Sequence, residues 1–322
     1  MKKRTITRGL LGLIALGMLG CKKNFPSDLD AFSLEMNFST TEFQPILGRT
    51  TSYTSIFNAD QSTMPLTFRI SDVRNYEGKP APELLKLFPV SIWKSRYTGE
   101  EKSLNEIRAK RDTVMRPLWE IGEHSGNLTM HSASNANILK TYPDSGYYFD
   151  VDVSNNGGRR FFKNMRLIPK KEESSDGGFF MSTGVLGDST KNILIPIQVW
   201  YHKTGEGSSI SFKVLGPDLK PIKLSRFNET NWDELVHGFN KKMSSDSTVV
   251  RYDVEYPMPL VPTIATKWNS GDFAKSQFQY SRIALGGIRL QSRINIFYSI
   301  YEKGDWDVVI YFPDEAPLFD ND

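Results

Sequence analysis

Short apolar runs separated by turn residues recur along nearly the whole chain, and this spacing restricts the fold more than any other feature. In the first half the runs are Met64–Ile70, Phe88–Trp93, Pro117–Ile121, Tyr147–Val153 and Phe161–Ile168. In the second half they are Ile193–Tyr201, Ser209–Leu215, Thr248–Tyr256, Gln277–Leu290, Ile294–Ile300 and Trp306–Phe312. Most of these runs have the length of one strand, so we predict a mostly β protein.

A strong hairpin signal lies between two runs of the first half. The tetrapeptide Asn-Asn-Gly-Gly at 155–158 separates Tyr147–Val153 from Phe161–Ile168. Asn and Gly tolerate the positive φ angles that tight turns need, so we predict that these two runs pair as a hairpin. Strands at this spacing favour an immunoglobulin-like sandwich, which we assign to residues 31–171.

A polar segment divides the chain into two parts. Residues 172–178 contain charged residues, Ser and Gly but no apolar residue, which is typical of a linker. The strand pattern then resumes, so we predict a second sandwich or jelly roll over residues 179–322. The expected architecture is therefore two tandem β-sandwich domains in a mostly all-β chain.

Two stretches favour helices instead. Ser103 and Glu106 stand at the spacing of a capping box, which predicts a helix from Ser103 to about Lys110. In the second domain, Thr230 or Asn231 can cap a stretch in which apolar residues recur at helical spacing. These residues are Trp232, Leu235, Val236, Phe239 and Met243. We expect one amphipathic helix there, packed on the core of the second domain.

The first residues have the composition of an export signal. Four basic residues at positions 2–8 precede an apolar run, Gly9–Leu19, that is too short to span a bilayer. Leu16–Cys21 resembles a bacterial lipobox, so we predict that residues 1–20 are a lipoprotein signal peptide and that Cys21 is lipidated. The alternative is an ordinary signal peptide with a chance cysteine at its end.

The residues after the cysteine suit a tether to a membrane. Residues 21–30 are polar and interrupted by a proline. Lys22 stands where many inner-membrane lipoproteins have Asp, so we expect the outer membrane. Asp28 and Asp30 come late and are separated, unlike the acidic cluster of surface-displayed lipoproteins, so the periplasmic and surface faces both stay open.

Removal of the signal changes the charge of the chain. Residues 1–20 hold four of the 40 Lys and Arg residues and none of the 37 Asp and Glu residues, which leaves a formal charge of −1. This balance gives no electrostatic reason to expect a nucleic-acid partner. Cys21 is the sole cysteine, so we expect no disulfide and no thiolate metal site. No cofactor is expected.

No sequence motif of a known reaction is present. The chain has four histidines, which are His124, His131, His202 and His237. None of them forms a zinc-binding pair at i, i+4 spacing, and the sequence has no nucleophile elbow and no phosphate loop. Asp150 and Asp152 share one side of a strand, which we interpret as its solvated face, with weak calcium coordination as the alternative. We expect a protein that is not an enzyme.

Exposed aromatic rings are the remaining candidates for a ligand site, because pyranose C–H groups pack on ring faces. Trp93 and Trp200 each alternate with polar residues; for Trp200 these are Gln198 and His202. Trp268 lies in a polar, loop-like stretch and is the first choice of the three. The alternative for each tryptophan is a residue that anchors a loop or a domain interface.

Five stretches in both halves of the chain carry a family resemblance. They are Arg49–Phe68, Pro80–Lys110, Arg116–Gly126, Asp144–Pro169 and Gly304–Phe319. These stretches resemble a family of Bacteroidota lipoproteins that contain a domain of unknown function (DUF), DUF5007. The resemblance implies an accessory lipoprotein encoded beside outer-membrane glycan-uptake pairs of the SusC/SusD type. It implies no catalytic or binding residues.

Three tripeptides, beginning at Asp112, Asp188 and Asp246, resemble the O-glycosylation motif of exported Bacteroidota proteins. The modified residues would be Thr113, Ser189 and Ser247. Glycosylation at these residues would place them on the surface of the protein, outside the cytoplasm.

These features predict a non-enzymatic cell-envelope lipoprotein that is an accessory or glycan-binding component of a polysaccharide-uptake system. Its expected partners are a membrane, through the lipid anchor, a polysaccharide or oligosaccharide, and a SusC/SusD-type transporter complex. One alternative is a structural or adhesive subunit that docks on an outer-membrane transporter or a neighbouring protein. Another is a glycoside hydrolase, whose paired carboxylates the sequence cannot place in one cleft.

Overall fold

A computed structural model describes residues 29–177, 182–185, 188–192, 196–283 and 286–319. The described part consists mainly of β-strands, with one short α-helix and three 3-10 turns. The predicted all-β class is therefore confirmed. Cys21 lies outside the described residues.

The first part of the chain contributes eleven strands and the helix, which lie in several small sheets. In chain order they are β1 (Asn37–Phe38), β2 (Glu42–Phe43), β3 (Thr51–Tyr53), β4 (Phe57–Asn58), β5 (Thr67–Asn75), β6 (Leu87–Trp93), α1 (Leu104–Ala109), β7 (Arg111–Pro117), β8 (Trp119–Ile121), β9 (Leu128–Met130), β10 (Tyr147–Ser154) and β11 (Arg159–Leu167). A 3-10 turn at Pro82–Leu84 precedes β6.

Two sheets of this part share one core. The first has the order β2-β11-β10-β5 and the second has the order β3-β9-β8. Trp119 on β8 packs against Phe43 on β2 and Phe149 on β10, with ring centroids 5.6 Å apart in both cases. All three rings are fully buried, so they join the two sheets into a sandwich.

The hairpin predicted at 155–158 is confirmed. β10 and β11 pair antiparallel from Ser154 opposite Arg159 to Tyr147 opposite Leu167. The side-chain oxygen of Asn155 accepts the N–H groups of Gly157 and Gly158 at 2.9 and 3.1 Å. This side-chain bond closes the turn in the way that makes Asn favourable there.

The prediction of a solvated face at Asp150 and Asp152 is wrong. Their exposed fractions are only 7% and 6%. Arg74 lies 3.1 Å from the Asp150 carboxylate, and Arg159 donates two hydrogen bonds to that of Asp152. The two arginines cover the outer side of the strand and offset the cost of removing the carboxylates from water. Among the described residues, no group of three or more His, Cys, Asp or Glu side chains is arranged to hold a metal ion.

Strands β6 and β7 form a separate two-stranded arm, and α1 lies at its tip. Ser103 caps α1 by accepting the Glu106 N–H at 3.2 Å, and the Glu106 carboxylate accepts the Lys102 N–H at 2.8 Å. The predicted helix and its capping residues are therefore confirmed.

The second part of the chain contributes the other eleven strands. They are β12 (Ser175–Gly177), β13 (Ser182–Val185), β14 (Asp188–Asn192), β15 (Gln198–Gly205), β16 (Ser209–Leu215), β17 (Gly238–Met243), β18 (Val249–Val254), β19 (Asn269–Ser270), β20 (Phe273–Ile283), β21 (Arg289–Ile300) and β22 (Asp305–Tyr311). Two 3-10 turns, Leu224–Arg226 and Trp232–Glu234, lie between β16 and β17.

These strands form a second sandwich. One sheet has the order β14-β13-β21-β20-β19, with β12 also paired to β21, and the other has the order β15-β22-β16-β18-β17. Phe212 on β16 packs against Phe278 on β20 and Tyr298 on β21, with centroids 5.8 and 6.4 Å apart. These buried rings connect the two sheets across one core.

The amphipathic helix predicted from Asn231 is wrong. The chain makes one 3-10 turn at Trp232–Glu234 and then enters β17, which pairs with β18. The Tyr252 hydroxyl donates to the carbonyl of Trp232, a group that an α-helix would bond to the N–H four residues on. Gly238, which disfavours a helix interior, has no room for a side chain because an added Cβ would lie 2.8 Å from that of Tyr252.

The segment predicted as a linker contacts both parts of the chain. Glu173 pairs with Arg49 at 3.1 Å, whereas Ser175–Gly177 pairs with β21. The domain boundary at 172–178 stays a prediction. In the part of the chain that the structure describes, no helix is long and apolar enough to cross a bilayer.

We expect Phe212→Ala to lower the free energy of unfolding by about 3–5 kcal/mol, because it empties the centre of the second core. Denaturant unfolding followed by tryptophan fluorescence measures this change. Phe161→Ala is the matched control, since the Phe161 side chain is 48% exposed, and its cost should be about 1 kcal/mol or less. Equal losses for the two variants would contradict the assignment of Phe212 to the core.

Candidate functional site

The three tryptophans predicted from the sequence lie on two different surfaces. Trp93 and Trp268 belong to a cluster where the tip of the arm contacts the second part of the chain. Trp200 lies on β15, at the opposite edge of its sheet from β17, the strand that directly follows His237. The structure therefore brings two of the candidates together and separates the third.

A row of aromatic rings forms the contact at the tip of the arm. Trp93 packs on Tyr97 with centroids 5.4 Å apart, and Tyr97 packs on His237 at 5.6 Å. His237 stacks on Trp268 at 5.1 Å with an angle of only 3° between the ring planes. The indole N–H of Trp268 donates to the carbonyl of Gly99 at 2.8 Å. These five residues, with Glu101, are called the interface cluster below.

His237 is held by the arm through both ring nitrogens. Its Nε2 lies 3.0 Å from the carbonyl oxygen of Glu101, and its Nδ1 lies 2.6 Å from the Tyr97 hydroxyl. A carbonyl only accepts, so Nε2 carries the proton and Nδ1 accepts from Tyr97. Burial lowers the pKa of His237, although the Glu101 carbonyl and carboxylate oppose this effect. The neutral ring is therefore the form that fits this contact.

Glu101 is a buried carboxylate in the same cluster. Burial alone would raise its pKa, but hydrogen bonds from Lys110 and from Thr98 outweigh this effect and lower the pKa to about 2. The carboxylate also accepts the Gly99 N–H at 2.9 Å. Glu101 thus fixes the loop that carries Gly99 against Trp268.

The cavity beside the interface cluster is very small. It is lined by Tyr97, His237 and Trp268 among others, and its volume of about 20 Å³ has room for one water molecule. Pockets that enclose a small ligand have volumes of several hundred Å³. The contacts of Trp93 and Trp268 agree with the alternative that these residues anchor a loop or an interface. The cavity gives no support for a ligand at either residue.

Trp200 lies on the outer face of the second sandwich. In chain order its strand neighbours Val199 and Tyr201 pack toward the core, whereas Trp200 points the other way and is half-buried. The ring packs on Tyr311 of β22 with centroids 5.0 Å apart and planes at 33°. Nothing else among the described ring contacts involves Trp200. Two half-buried rings therefore lie next to each other on the outer face of a sheet.

Polar side chains surround the two rings. Gln198 and His202, both exposed, flank Trp200 on β15 and lie opposite Tyr311 and Asp307 on β22. Lys213 on β16 pairs with Asp307 at 2.5 Å. We call Gln198, Trp200, His202, Lys213, Asp307 and Tyr311 the outer aromatic face.

The outer aromatic face has the chemistry of a sugar platform. Aromatic ring faces pack against the C–H groups of a pyranose, and amide, imidazole, ammonium and carboxylate groups can bond its hydroxyls. Every one of these side chains stands on a strand of one sheet, so their relative positions are fixed before a ligand arrives.

Tyr311 is not among the site residues predicted from the sequence. The signal that identifies it is the alternation along β22 and into the next residue: Val308, Ile310 and Phe312 face the core, so Tyr311 must face outward. Its proximity to Trp200 follows from the pairing of β15 with β22, which a strand pattern alone does not reveal.

Comparison with known families identifies the chain. The model of the family described as domain of unknown function (DUF5007) matches residues 57–207 and 197–321. The chain belongs to the DUF5007 family. The two matches of this DUF5007 model overlap at residues 197–207, which include β15, the strand that carries Trp200. The search of curated proteins and the search of solved structures each gave no match.

The predicted modification sites differ in their surroundings. Thr113 is exposed on β7 of the arm, and its N–H donates a hydrogen bond to the carboxylate of Asp112. Ser247 lies half-buried in the turn before β18. In this turn the Thr248 hydroxyl donates a hydrogen bond to the carboxylate of Asp246. The side chain of Ser189 and the lipidation site Cys21 lie outside the described residues. Glycosylation and lipidation stay predictions.

We expect the stability of the chain to fall as the pH is lowered through the region near the ordinary histidine pKa, about 6.5. Because the pKa of His237 is lowered in the folded state, the unfolded chain binds more protons there, and protonation favours unfolding. The stabilisation is complete above about pH 6.5 and is lost as the pH falls through the folded-state pKa. Denaturant unfolding from about pH 7.5 to about pH 5.5 measures the effect.

The variants His237→Gln and His202→Gln separate this effect from that of other groups. His237→Gln should be less stable at neutral pH and should show a flatter dependence on pH. His202→Gln, which changes an exposed ring, should behave like the wild type. An unchanged pH dependence in His237→Gln would contradict a buried neutral His237.

Proposed function

We propose that this DUF5007 chain is a non-enzymatic, lipid-anchored protein of the cell envelope that binds a polysaccharide or oligosaccharide on its outer aromatic face. The observation that carries the proposal is the pair of half-buried rings, Trp200 and Tyr311, 5.0 Å apart on the outside of a sheet. In this role the protein is an accessory component of a polysaccharide-uptake system of the SusC/SusD type.

The position of the two rings supports binding in preference to a purely structural role. The core of the second sandwich is filled from the opposite side of the sheet by residues such as Val308 and Ile310, so it does not need Trp200 or Tyr311. Large aromatic side chains that keep a free face gain stability when a second apolar surface covers them. A sugar ring supplies such a surface while its hydroxyls remain available to Lys213 and Asp307.

The proposed location depends on the N-terminal sequence. A signal peptide over residues 1–20, followed by lipidation of Cys21, would attach the folded part to a membrane through several acyl chains. The tether 21–30 would then hold the sandwiches near the membrane surface, where a polymer passes to a transporter.

We expect Trp200→Ala and Tyr311→Ala each to weaken glycan binding by about two- to ten-fold, which corresponds to an aromatic contact of about 0.5–1.5 kcal/mol. Affinity electrophoresis in gels that contain amylopectin, xyloglucan, galactomannan or polygalacturonate measures the change. Phe161→Ala removes a half-exposed ring elsewhere and should migrate like the wild type. Equal retardation of wild type, Trp200→Ala and Tyr311→Ala in every gel would contradict the proposed site.

We expect Cys21→Ser to release the protein from the membrane fraction, because the acyl chains have no sulfur to attach to. Cell fractionation and mass spectrometry of the wild-type protein measure the anchor. Ser27→Ala, a change in the same tether, should leave the protein in the membrane fraction. Membrane attachment of Cys21→Ser, or an unmodified sulfur in the mature wild type, would contradict the anchor.

A further inference from the structure

We infer that the chain has a second carbohydrate-binding site, centred on Tyr76 and Tyr148 on the outer side of the first sandwich, and that it takes a neutral polysaccharide. The inference depends on the proposed function for the class of its ligand. It concerns a different sheet and different residues, so it can fail or hold separately from the outer aromatic face.

The two tyrosine rings form an open surface. Their centroids are 6.3 Å apart and their planes differ by only 24°. Tyr76 is 57% exposed and Tyr148 is half-buried. Among the described ring contacts, each of these rings meets only the other. The two rings are stacked on each other, and the exposed Tyr76 ring offers an apolar face on which a sugar ring can pack.

The local fold holds both tyrosines in fixed positions. Tyr148 lies within β10, directly opposite Arg74 of β5. Tyr76 follows the end of β5 in a tight turn, where Asn75 accepts the Lys79 N–H at 2.9 Å. The N–H of Tyr76 donates to the carbonyl of Gly146 at 3.1 Å, next to the start of β10. The rings are therefore placed by strands and by a bonded turn, and a ligand would not have to order a flexible loop.

The core of the first sandwich does not account for these rings. The neighbouring residues Tyr147 and Phe149 point inward and are fully buried, so β10 already supplies its aromatic side chains to the core. Tyr148 points to the opposite side, together with Arg74 and Arg166. Tyr76 lies just after the end of β5, and its side chain is 57% exposed, so it adds nothing to the core.

The charges around the tyrosines are balanced, which favours an uncharged ligand. Arg74 pairs with Asp72 at 2.8 Å and with Asp150 at 3.1 Å. Around these residues, three further pairs are Glu77 with Lys79 at 2.8 Å, Lys140 with Asp144 at 3.7 Å and Arg166 with Glu42 at 3.2 Å. An anionic polymer would have to compete with carboxylates for every one of these cations. Hydroxyl groups of a neutral sugar can form hydrogen bonds with the same charged groups while the ion pairs stay intact.

Two platforms on one chain have a consequence for long ligands. A polymer that reaches both sites gains apparent affinity by avidity, whereas a short oligosaccharide occupies one site at a time. The second site should therefore contribute more to the retention of a polymer than to the affinity for its short fragments.

The experiment uses the full chain and variants at both sites. Tyr76→Ala, Tyr148→Ala and Trp200→Ala are compared with the wild type in gels that contain amylopectin, xyloglucan, galactomannan or polygalacturonate. Tyr148→Phe keeps the ring and serves as the conservative control, and Phe161→Ala removes a ring elsewhere on the same sheet. Circular dichroism and thermal melting confirm that each variant is folded. Calorimetry with short oligosaccharides of the retarding polymer completes the set.

We expect Tyr76→Ala and Tyr148→Ala to reduce retardation by a neutral polymer roughly ten-fold or more, and to change affinity for a short fragment much less. Tyr148→Phe and Phe161→Ala should behave like the wild type. If both tyrosine variants are retarded as strongly as the wild type while Trp200→Ala is retarded less, the second site is overturned. The proposed function is then unaffected.

Other outcomes are also decisive. Loss of retardation in the tyrosine variants with no change in Trp200→Ala would support the second site. It would also contradict the proposed glycan site on the outer aromatic face. Retardation of the wild type by polygalacturonate alone would overturn the assignment to a neutral ligand. No retardation of the wild type in any gel would overturn both sites.

Discussion

One buried imidazole joins the arm of the first part of the chain to the second sandwich. His237 is bonded at both ring nitrogens by residues of the arm, and one face of the ring stacks on Trp268. A buried ring with two satisfied nitrogens tolerates little displacement, because moving the arm would leave polar atoms unpaired in an apolar setting. This contact therefore fixes the position of the arm on the second sandwich.

Ion pairs at the edge of the interface cluster add to this constraint. Glu255, just after β18, lies 2.8 Å from Arg108 of α1 and 3.3 Å from Arg111 of β7. Arg111 also donates to the carbonyl of Tyr256 at 2.9 Å and lies over the ring of Trp93. One guanidinium thereby connects the row of rings to the second sandwich.

The sequence predicted the strand content well because period-two alternation depends on local residue order. The turn at 155–158 and the cap at Ser103 were also predicted, since each depends on residues close together in the chain. The prediction of a helix after Asn231 was wrong because apolar residues spaced three and four apart fit a helix but also fit a short turn followed by a strand. The competing hydrogen bond from Tyr252 comes from a distant strand, and no local pattern contains it.

The candidate site shows the same division between local and distant information. Alternation identified Trp200 as an outward residue, but it could not show that Tyr311 lies beside it. It also could not separate Trp200 from Trp93, since both alternate with polar neighbours. Trp93 is half-buried like Trp200, but Arg111 lies across its ring, with the guanidinium carbon 4.5 Å from the ring centroid, and Tyr97 packs on it as well. Whether an outward aromatic ring stays open is decided by which other segment packs on it.

The aromatic residues of this DUF5007 chain therefore serve three physical roles. Rings such as Phe43 and Phe212 fill the two cores, where removal of apolar surface from water is the main source of stability. Rings of the interface cluster combine burial with hydrogen bonds and so fix one segment on another. Rings of the third kind, Trp200 and Tyr148 among them, are half-buried: the sheet below holds each one in place, and its outer side remains in water. Only this third arrangement combines a fixed position with an accessible apolar surface, and a binding platform requires both properties.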